Sequence, residues 1–262
     1  MKDFLNPRWA DVLRYNGLGD FDSLWALDVG WFEAPNRRRG GWSGVSRCEL
    51  PMPPQESRGV FVKRQENHKT FSWCHPIAGI PTFLREFRLI VHYKACGIPA
   101  LEPVYFGVRR FAGGHRAILA TEELTDFISL ESQVQIWLES GFPPASARRP
   151  YLRAIADLSS QIHRNKIQHN CYYPKHIFVR MRPEGGVEAR VIDLEKSRLR
   201  LLSLPCVLRD LDTLNRHAPE WSRGDRLRFL KSYLGIGRLT PYAKWLWRRL
   251  AARAMRKSGA GA

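Results

Sequence analysis

The stretch Ile167–Arg180, reading IQHNCYYPKHIFVR, and the run Val191–Lys196, reading VIDLEK, constrain this chain more than any other feature. The first is a polar loop with two histidines that enters a short apolar strand, Ile177–Met181. The second closes another short strand, Glu188–Ile192, on a carboxylate, Asp193. Two further pieces lie upstream: a lysine ending an apolar strand, Val60-Phe61-Val62-Lys63, and a glutamate in a helical segment, Phe83-Leu84-Arg85-Glu86-Phe87.

Each piece has a chemical reading. A cation at the end of a short apolar strand can be held over nucleotide phosphates, and a helix glutamate can orient it. Lys63 and Glu86 fit those roles, although a lone lysine there reads as a solvated strand end. A carboxylate at a strand end is well placed to hold Mg²⁺, a hard cation that prefers oxygen ligands. That role falls to Asp193. Glu195, two residues on, is a second ligand or a partner for Lys196 or Arg198. Phosphoryl transfer needs such parts together, and here all occur in the required order.

One part is missing. In the layout of a kinase catalytic loop, Cys171 stands where the catalytic aspartate belongs. A thiol is a weak base unless cationic neighbours lower its pKa. His169 and Lys175 are candidates for that, and His169 is itself an alternative base; the competing reading of Cys171 is a buried, inert cysteine. His176 occupies the place of the asparagine that binds a second metal. Its plainer reading is a polar residue hydrogen-bonded at a strand start. His163-Arg164-Asn165 imitates an HRD motif but lies at a helix end, too far before the strand. His163 therefore reads as a packing residue.

The chain has 262 residues, enough for one bilobal domain or two small ones. At 44% hydrophobic and 26% charged it is globular in composition, and its net charge of +17 implies a polyanionic partner. The five cysteines include no CxxC, so reduced thiols are expected rather than a disulfide framework or a zinc site. The start carries Asp3 and Asp11 and no long apolar run, so no signal peptide is expected, and no window is apolar enough to span a membrane.

Along the chain, residues 1–35 suggest a short helix and an approach strand. Asn36–Val45 carries Arg37, Arg38, Arg39, Gly40, Gly41 and Gly44 between apolar segments, a hairpin signal. That turn could offer backbone amides and guanidinium groups to phosphates, or be a solvated basic tip. Pro51–Pro54 reads as a connector, Gly59–Lys63 as a strand, and His75–Pro81 as a loop. A helix is predicted from an N-cap at Thr82 to Gly97. Strands at Val104–Val108 and Ala117–Thr121 flank a Gly113-Gly114 turn. A short link, Glu122–Asp126, contributes Glu122 as a nucleotide-site candidate. Helices follow at Ser129–Ser140 and Pro150–Asn165, the second starting on its proline. The expected fold is α+β, protein-kinase-like and bilobal. It has an N-terminal extension (1–29), a small β-rich lobe (30–121), a hinge (122–126) and a mostly helical lobe (127–262).

The segment Tyr242–Lys257 is amphipathic at helical spacing. Ala243, Leu246, Trp247, Leu250, Ala251 and Ala254 form one face, and six Lys/Arg form the other. A basic, Trp-bearing helix suits an anionic membrane surface; otherwise it is a final helix packed on the large lobe. No zinc spacing, RNP-like strand or KH-type loop occurs, so no nucleic acid is expected.

Four motifs together resemble a family. They are the Asn36–Arg39 hairpin, Phe61-Val62-Lys63-Arg64, the helix start Pro81–Glu86, and His169–Ile177 with Asp193–Arg198. They are similar to the lipopolysaccharide core kinase family of Gram-negative bacteria (Kdo/WaaP), most of all to its InaA-like branch. The resemblance implies ATP- and Mg²⁺-dependent phosphorylation of heptose or Kdo in the lipopolysaccharide core glycolipid, at the cytoplasmic face of the inner membrane. It implies Lys63 as the ATP-binding lysine, Glu86 as its partner, and Asp193 as the metal ligand. Asp210 corresponds to the buried aspartate that supports the catalytic-loop backbone. Cys171 departs from the family's heptose kinases, which carry aspartate there. Two functions follow: a sugar kinase without its usual base, or a pseudokinase-like protein that binds ATP or lipid.

Overall fold

The computed structural model describes residues 2–38, 40–52, 54, 56–72 and 75–258. The architecture is mixed α and β, and the chain divides into two compact units, residues 1–92 with 101–125 and residues 93–100 with 126–262.

The first unit begins with β1 (Phe4–Leu5), a 3-10 turn, α1 (Ala10–Tyr15) and α2 (Phe21–Trp25). There follow β2 (Glu33–Arg38), β3 (Gly41–Met52), β4 (Glu56–Glu66), β5 (Lys69–Ser72), β6 (His75–Pro81), α3 (Thr82–Ala95), β7 (Pro103–Phe111) and β8 (Gly114–Glu122). Six of the strands make one antiparallel sheet in the order β1-β7-β8-β4-β3-β2. The N-terminal stretch holds two helices rather than the single one expected, and β1 adds an edge strand to β7. Its Trp9, Leu13, Phe21 and Leu24 pack with Val60, Val62 and Ile118 in one apolar core. Strand alternation turns Val60 and Val62 into that core and sends Phe61 and Lys63 to the opposite face of the sheet.

His75–Pro81 is not the loop expected: β6 pairs with β5 through Thr70↔Ile80 and Lys69↔Pro81. Prolines at both ends suggested a loop, but a two-stranded ribbon consists only of edges, where a missing N–H is tolerated. Thr82 is the first residue of α3, and its hydroxyl engages His68. At the other end, Gly97 adopts φ 67°. Its N–H reaches the Lys94 carbonyl and that of Ile98 the Tyr93 carbonyl, the paired bonds of a Schellman stop.

The second unit contains β9 (Ile128–Ser129), α4 (Leu130–Ser140), α5 (Ala145–Arg164), β10 (Ile167–Gln168), β11 (Ile177–Met181), β12 (Val187–Val191), β13 (Arg198–Leu199), α6 (Ser203–Arg216), α7 (Arg223–Leu234) and α8 (Pro241–Ser258). Its strands form a three-stranded sheet, β12-β11-β9, and a two-stranded ladder, β10-β13. Ser129 caps α4 as its side chain accepts the Ser132 N–H. The fifth helix starts before Pro150, which lies in its second turn, where its ring leaves the Ser146 carbonyl without a helical donor. Arg148 holds this extra turn: its guanidinium bonds the Pro143 carbonyl and Asp225 and lies over the Phe142 ring.

The apolar side of α8 is turned inward. Ala243 and Leu246 are fully buried, while Trp247, Leu250 and Ala251 line a cavity of about 420 Å³ with side chains of α6 and α7. The apolar face of α8 is thus packed on the unit, and its exposed residues include Lys244, Arg248 and Arg249. The side chains of residues 254–258 lie outside the described set. Among the described residues, no helix is long and apolar enough to cross a membrane.

Candidate active site

The pairing of Lys63 and Glu86 is built by β4 and α3. Lys63 sits in the middle of the sheet, opposite Val45 on one side and Leu119 on the other. Helix α3 packs onto the sheet through Phe87, whose ring stacks on Phe106 with centroids 4.4 Å apart. That contact brings Glu86 over Lys63, and Lys63 Nζ lies 2.7 Å from Glu86 Oε1. Glu86 is 1% exposed and the lysine side chain 20%. A buried carboxylate therefore has a charged partner, as burial demands.

A residue absent from the sequence reading secures this geometry. Gln65, two residues beyond Lys63 and fully buried, accepts the Phe83 N–H at 2.8 Å and donates to the His68 carbonyl. It satisfies an amide at the start of α3 that has no acceptor within the helix. A polar residue in a strand carries no sequence signal for such a long-range cap.

The hairpin glycines have local explanations. A Cβ on Gly41 would strike the backbone of Glu66–His68, and one on Gly44 the Trp31 ring. Gly40 takes φ 77° in the turn. Arg39 lies outside the described residues. Glu122 ends β8, and its carboxylate meets the Trp9 indole N–H at 3.4 Å and Arg8 at 3.8 Å.

In the second unit, the loop after β10 is held from beneath by Asp210 of α6. This carboxylate is fully buried and accepts the backbone N–H groups of His169 at 2.7 Å and Asn170 at 2.9 Å. His163 joins the same network, with Nε2 3.4 Å from Asp210 and Nδ1 3.0 Å from the Tyr233 hydroxyl. It is a packing residue with a polar assignment as well. The loop backbone is unusual: Asn170 has φ 66° and Asp193 φ 57°, in the left-handed region that Asn and Asp tolerate better than most residues.

Three sequence-predicted residues meet here. His176 Nδ1 lies 2.8 Å from the Cys171 carbonyl and 3.5 Å from Asp193 Oδ2. The Asp193 side chain is 33% exposed, and among the described residues His176 is its one charge-capable partner within 4 Å. Such a hard, accessible oxygen donor fits Mg²⁺. Among the described residues no cluster of three or more His, Cys, Asp or Glu forms a metal cage. A single carboxylate still suits Mg²⁺, which commonly binds through one or two carboxylates plus substrate phosphates.

The candidate bases are differently placed. His169 is fully buried, with Nε2 donating to the Ile192 carbonyl at 2.9 Å and Nδ1 accepting the Cys171 N–H at 3.3 Å. Both ring nitrogens are engaged. Burial pushes its pKa below the ordinary 6.5, against the opposing pull of Asp210. It therefore neither supplies a cation to Cys171 nor offers a free nitrogen. Cys171 is 5% exposed, and burial followed by the Asp193 charge pushes its thiol up from 9.0. Lys196, rather than exposed Lys175, is the neighbouring cation that counters this shift.

The neutral His169 has a measurable consequence. The unfolded chain takes up a proton near pH 6.5 that the folded site refuses. Stability is therefore full above that value and declines as pH falls below it, by up to about 1.4 kcal/mol per pH unit. Urea midpoints measured from about pH 7.5 down to about 5.5 should fall accordingly. In His169→Gln, which removes the titrating ring, the fall should be shallower; an unchanged slope would assign it to other groups.

The fold is that of a known structural class. The chain matches the solved structure of WaaP in complex with acyl carrier protein with a TM-score of 0.70 and 24% identity, covering 99% of each chain. The model of the lipopolysaccharide kinase (Kdo/WaaP) family matches residues 22–233, and the chain belongs to that family. It is 32% identical to Protein InaA of Escherichia coli (strain K12) over 208 residues, covering 79% of this chain and 91% of InaA. It is 28% identical to the lipopolysaccharide core heptose(I) kinase WaaP of Pseudomonas aeruginosa over 237 residues, covering 84% and 82% of the two chains.

Proposed function

We propose that this protein is an ATP- and Mg²⁺-dependent kinase of a heptose or Kdo sugar in the lipopolysaccharide inner core. It works at the cytoplasmic face of an anionic inner membrane, with a bilobal protein-kinase-like fold: residues 30–121 as small lobe, 122–126 as link and 127–262 as large lobe. The observation that carries this reading is the buried Lys63–Glu86 pair in a member of a lipopolysaccharide kinase family. Glu86 holds the Lys63 ammonium in position to meet nucleotide phosphates. Asp193 offers a carboxylate to Mg²⁺, which when bound neutralises phosphate charge. Gly40, Gly41 and Gly44 of the β2–β3 hairpin and Glu122 complete the nucleotide contacts, and His176, bonded to the Cys171 carbonyl, stands beside Asp193 at the metal site. Asp210 fixes the loop through two amides.

Neither Cys171 nor His169 acts as a base in this scheme, since the thiol is held protonated and the imidazole is fully engaged. Phosphoryl transfer depends mainly on positioning and charge neutralisation, so it survives without a base. General-base help is worth about 10²–10⁴-fold, which sets how slow such an enzyme would be. The same two observations favour a second reading, a pseudokinase-like protein that binds ATP without transfer.

Nucleotide titration with and without Mg²⁺, followed by phosphate transfer to purified core glycolipid, separates the two. Mg²⁺-dependent binding with slow transfer is expected; binding with no transfer would select the second reading. Cys171→Ala should keep its rate within about threefold, and Cys171→Asp should raise it by about tenfold or more by restoring a carboxylate. A Cys171→Ala variant that binds ATP normally and transfers nothing would show that the thiol takes part.

A further inference from the structure

The segment directly after the Asp193 loop is apolar and exposed. Leu199 is 58% exposed, Leu201 89%, Leu202 68% and Leu204 39%. Four leucines in six residues at such exposure are not needed by the core, since the buried positions of α6 begin at Cys206. A contiguous exposed apolar patch marks an interaction surface. The patch is also basic: Lys196, Arg198 and Arg200 lie within it or beside it and are exposed, as is Lys166 across the ladder. The sequence from Lys196 to Arg209 contains no acid.

This segment is held rather than loose. Its start is β13, paired with β10 through Ile167↔Leu199 and Gln168↔Arg198. Arg200 extends the ladder, its N–H reaching the Lys166 carbonyl at 2.8 Å and its Nε the Gln168 side chain at 2.7 Å. The strand β10 runs straight into His169–Cys171, and the Asn170 side chain donates to the Lys196 carbonyl at 2.8 Å. The leucines thus hang from the ladder that carries the candidate catalytic loop.

We propose that Arg198–Leu204 is a membrane-docking surface: the leucines enter the interfacial layer of an anionic bilayer, and the flanking cations engage its headgroups. This rests on the kinase reading, in which the acceptor sugar is attached to a lipid. Apolar side chains ringed by Lys and Arg match the two attractions that such a surface offers. Docking here brings the Asp193 loop to the layer that contains a lipid-linked sugar. It also assigns membrane contact to a site different from α8, whose apolar face is already packed.

The test uses the full chain and vesicles of phosphatidylglycerol with phosphatidylethanolamine, compared with phosphatidylcholine. Co-sedimentation should show preference for the anionic vesicles. The double variant Leu201→Ser/Leu202→Ser should bind them at least about tenfold more weakly, while neutralising Lys244, Arg248 and Arg249 together should cost about threefold or less. The same leucine variant should lose transfer to core glycolipid embedded in vesicles and keep transfer to the water-soluble, deacylated core. Equal vesicle binding by the leucine variant and the parent would overturn the proposal. So would a lipid-free parent that self-associates while the leucine variant is monomeric, because a second copy would then cover the patch. ATP titration of each variant reports on folding and on the nucleotide site separately. If the kinase reading fails, nucleotide binding or transfer is lost in the parent, while leucine-dependent vesicle binding persists.

Discussion

Lys63→Ala is expected to eliminate measurable phosphoryl transfer and to destabilise the first unit. The Glu86 carboxylate, 1% exposed, would stay buried without the ammonium now 2.7 Å away. Removing one member of a buried ion pair costs about 3–5 kcal/mol, because the surviving charge is desolvated and uncompensated. Loss of a preorganised charge aimed at the transferring group costs about 10²–10³-fold in rate. The two effects can be separated. Lys63→Met/Glu86→Leu replaces both charges by apolar groups of similar bulk and should recover most of the stability in a urea melt. It should recover none of the transfer. If rate returned along with stability, the pair would be a structural element only, and the nucleotide would bind elsewhere.

Asp210→Ala is expected to be nearly as damaging, although its carboxylate is fully buried. It would leave the His169 and Asn170 N–H groups without their acceptor. Each stranded buried donor costs about 1–3 kcal/mol, so the sum is roughly 2–6 kcal/mol. The loop between β10 and β11 would relax, and a misplacement of about 1 Å in reacting groups can cost about 10²-fold in rate. Asp210→Asn keeps one acceptor oxygen and should fall between the parent and the alanine variant. Hydrogen exchange at the two amides reads the effect directly: both should exchange much faster in Asp210→Ala. Unchanged protection would mean that the loop holds its shape by other bonds.

The sequence made some of this site legible and hid the rest for physical reasons. Asp193 stands just past a strand end and Glu86 on an amphipathic helix, where local pattern fixes position; Lys63 was legible from its apolar strand, although that strand runs past it to Glu66 instead of ending there. Asp210 was found only through the family resemblance, because nothing in the local pattern around it points to the His169 and Asn170 amides some forty residues away. The His169 assignment could not be read the same way, because its engagement depends on the carbonyl of Ile192, twenty-three residues on. Lys175 looked like the cation beside Cys171 from its sequence distance, yet the cation that acts on the thiol is Lys196, which is exposed as Lys175 is. The β5–β6 ribbon was hidden by its prolines. The start of α5 was misplaced because Pro150 usually marks a first turn, and the Arg148 bonds that carry the helix back to Ala145 are long-range. The exposure of the leucines at 199–204 is not legible in the sequence, which shows hydrophobicity but not which side is covered.

The Gln65 tie has an implication for control. Kinases that are switched by their environment often let the helix bearing the glutamate swing away, breaking the lysine pair until a signal returns it. Here the first turn of that helix is moored to the strand bearing the lysine, through Gln65 to Phe83 and through His68 to Thr82. The tether is two residues from Lys63 and three from Glu86 along their respective elements. A swing at that end would strand the buried Gln65 amide and the Phe83 N–H together. This arrangement favours a Lys63–Glu86 pair that stays assembled without an outside signal.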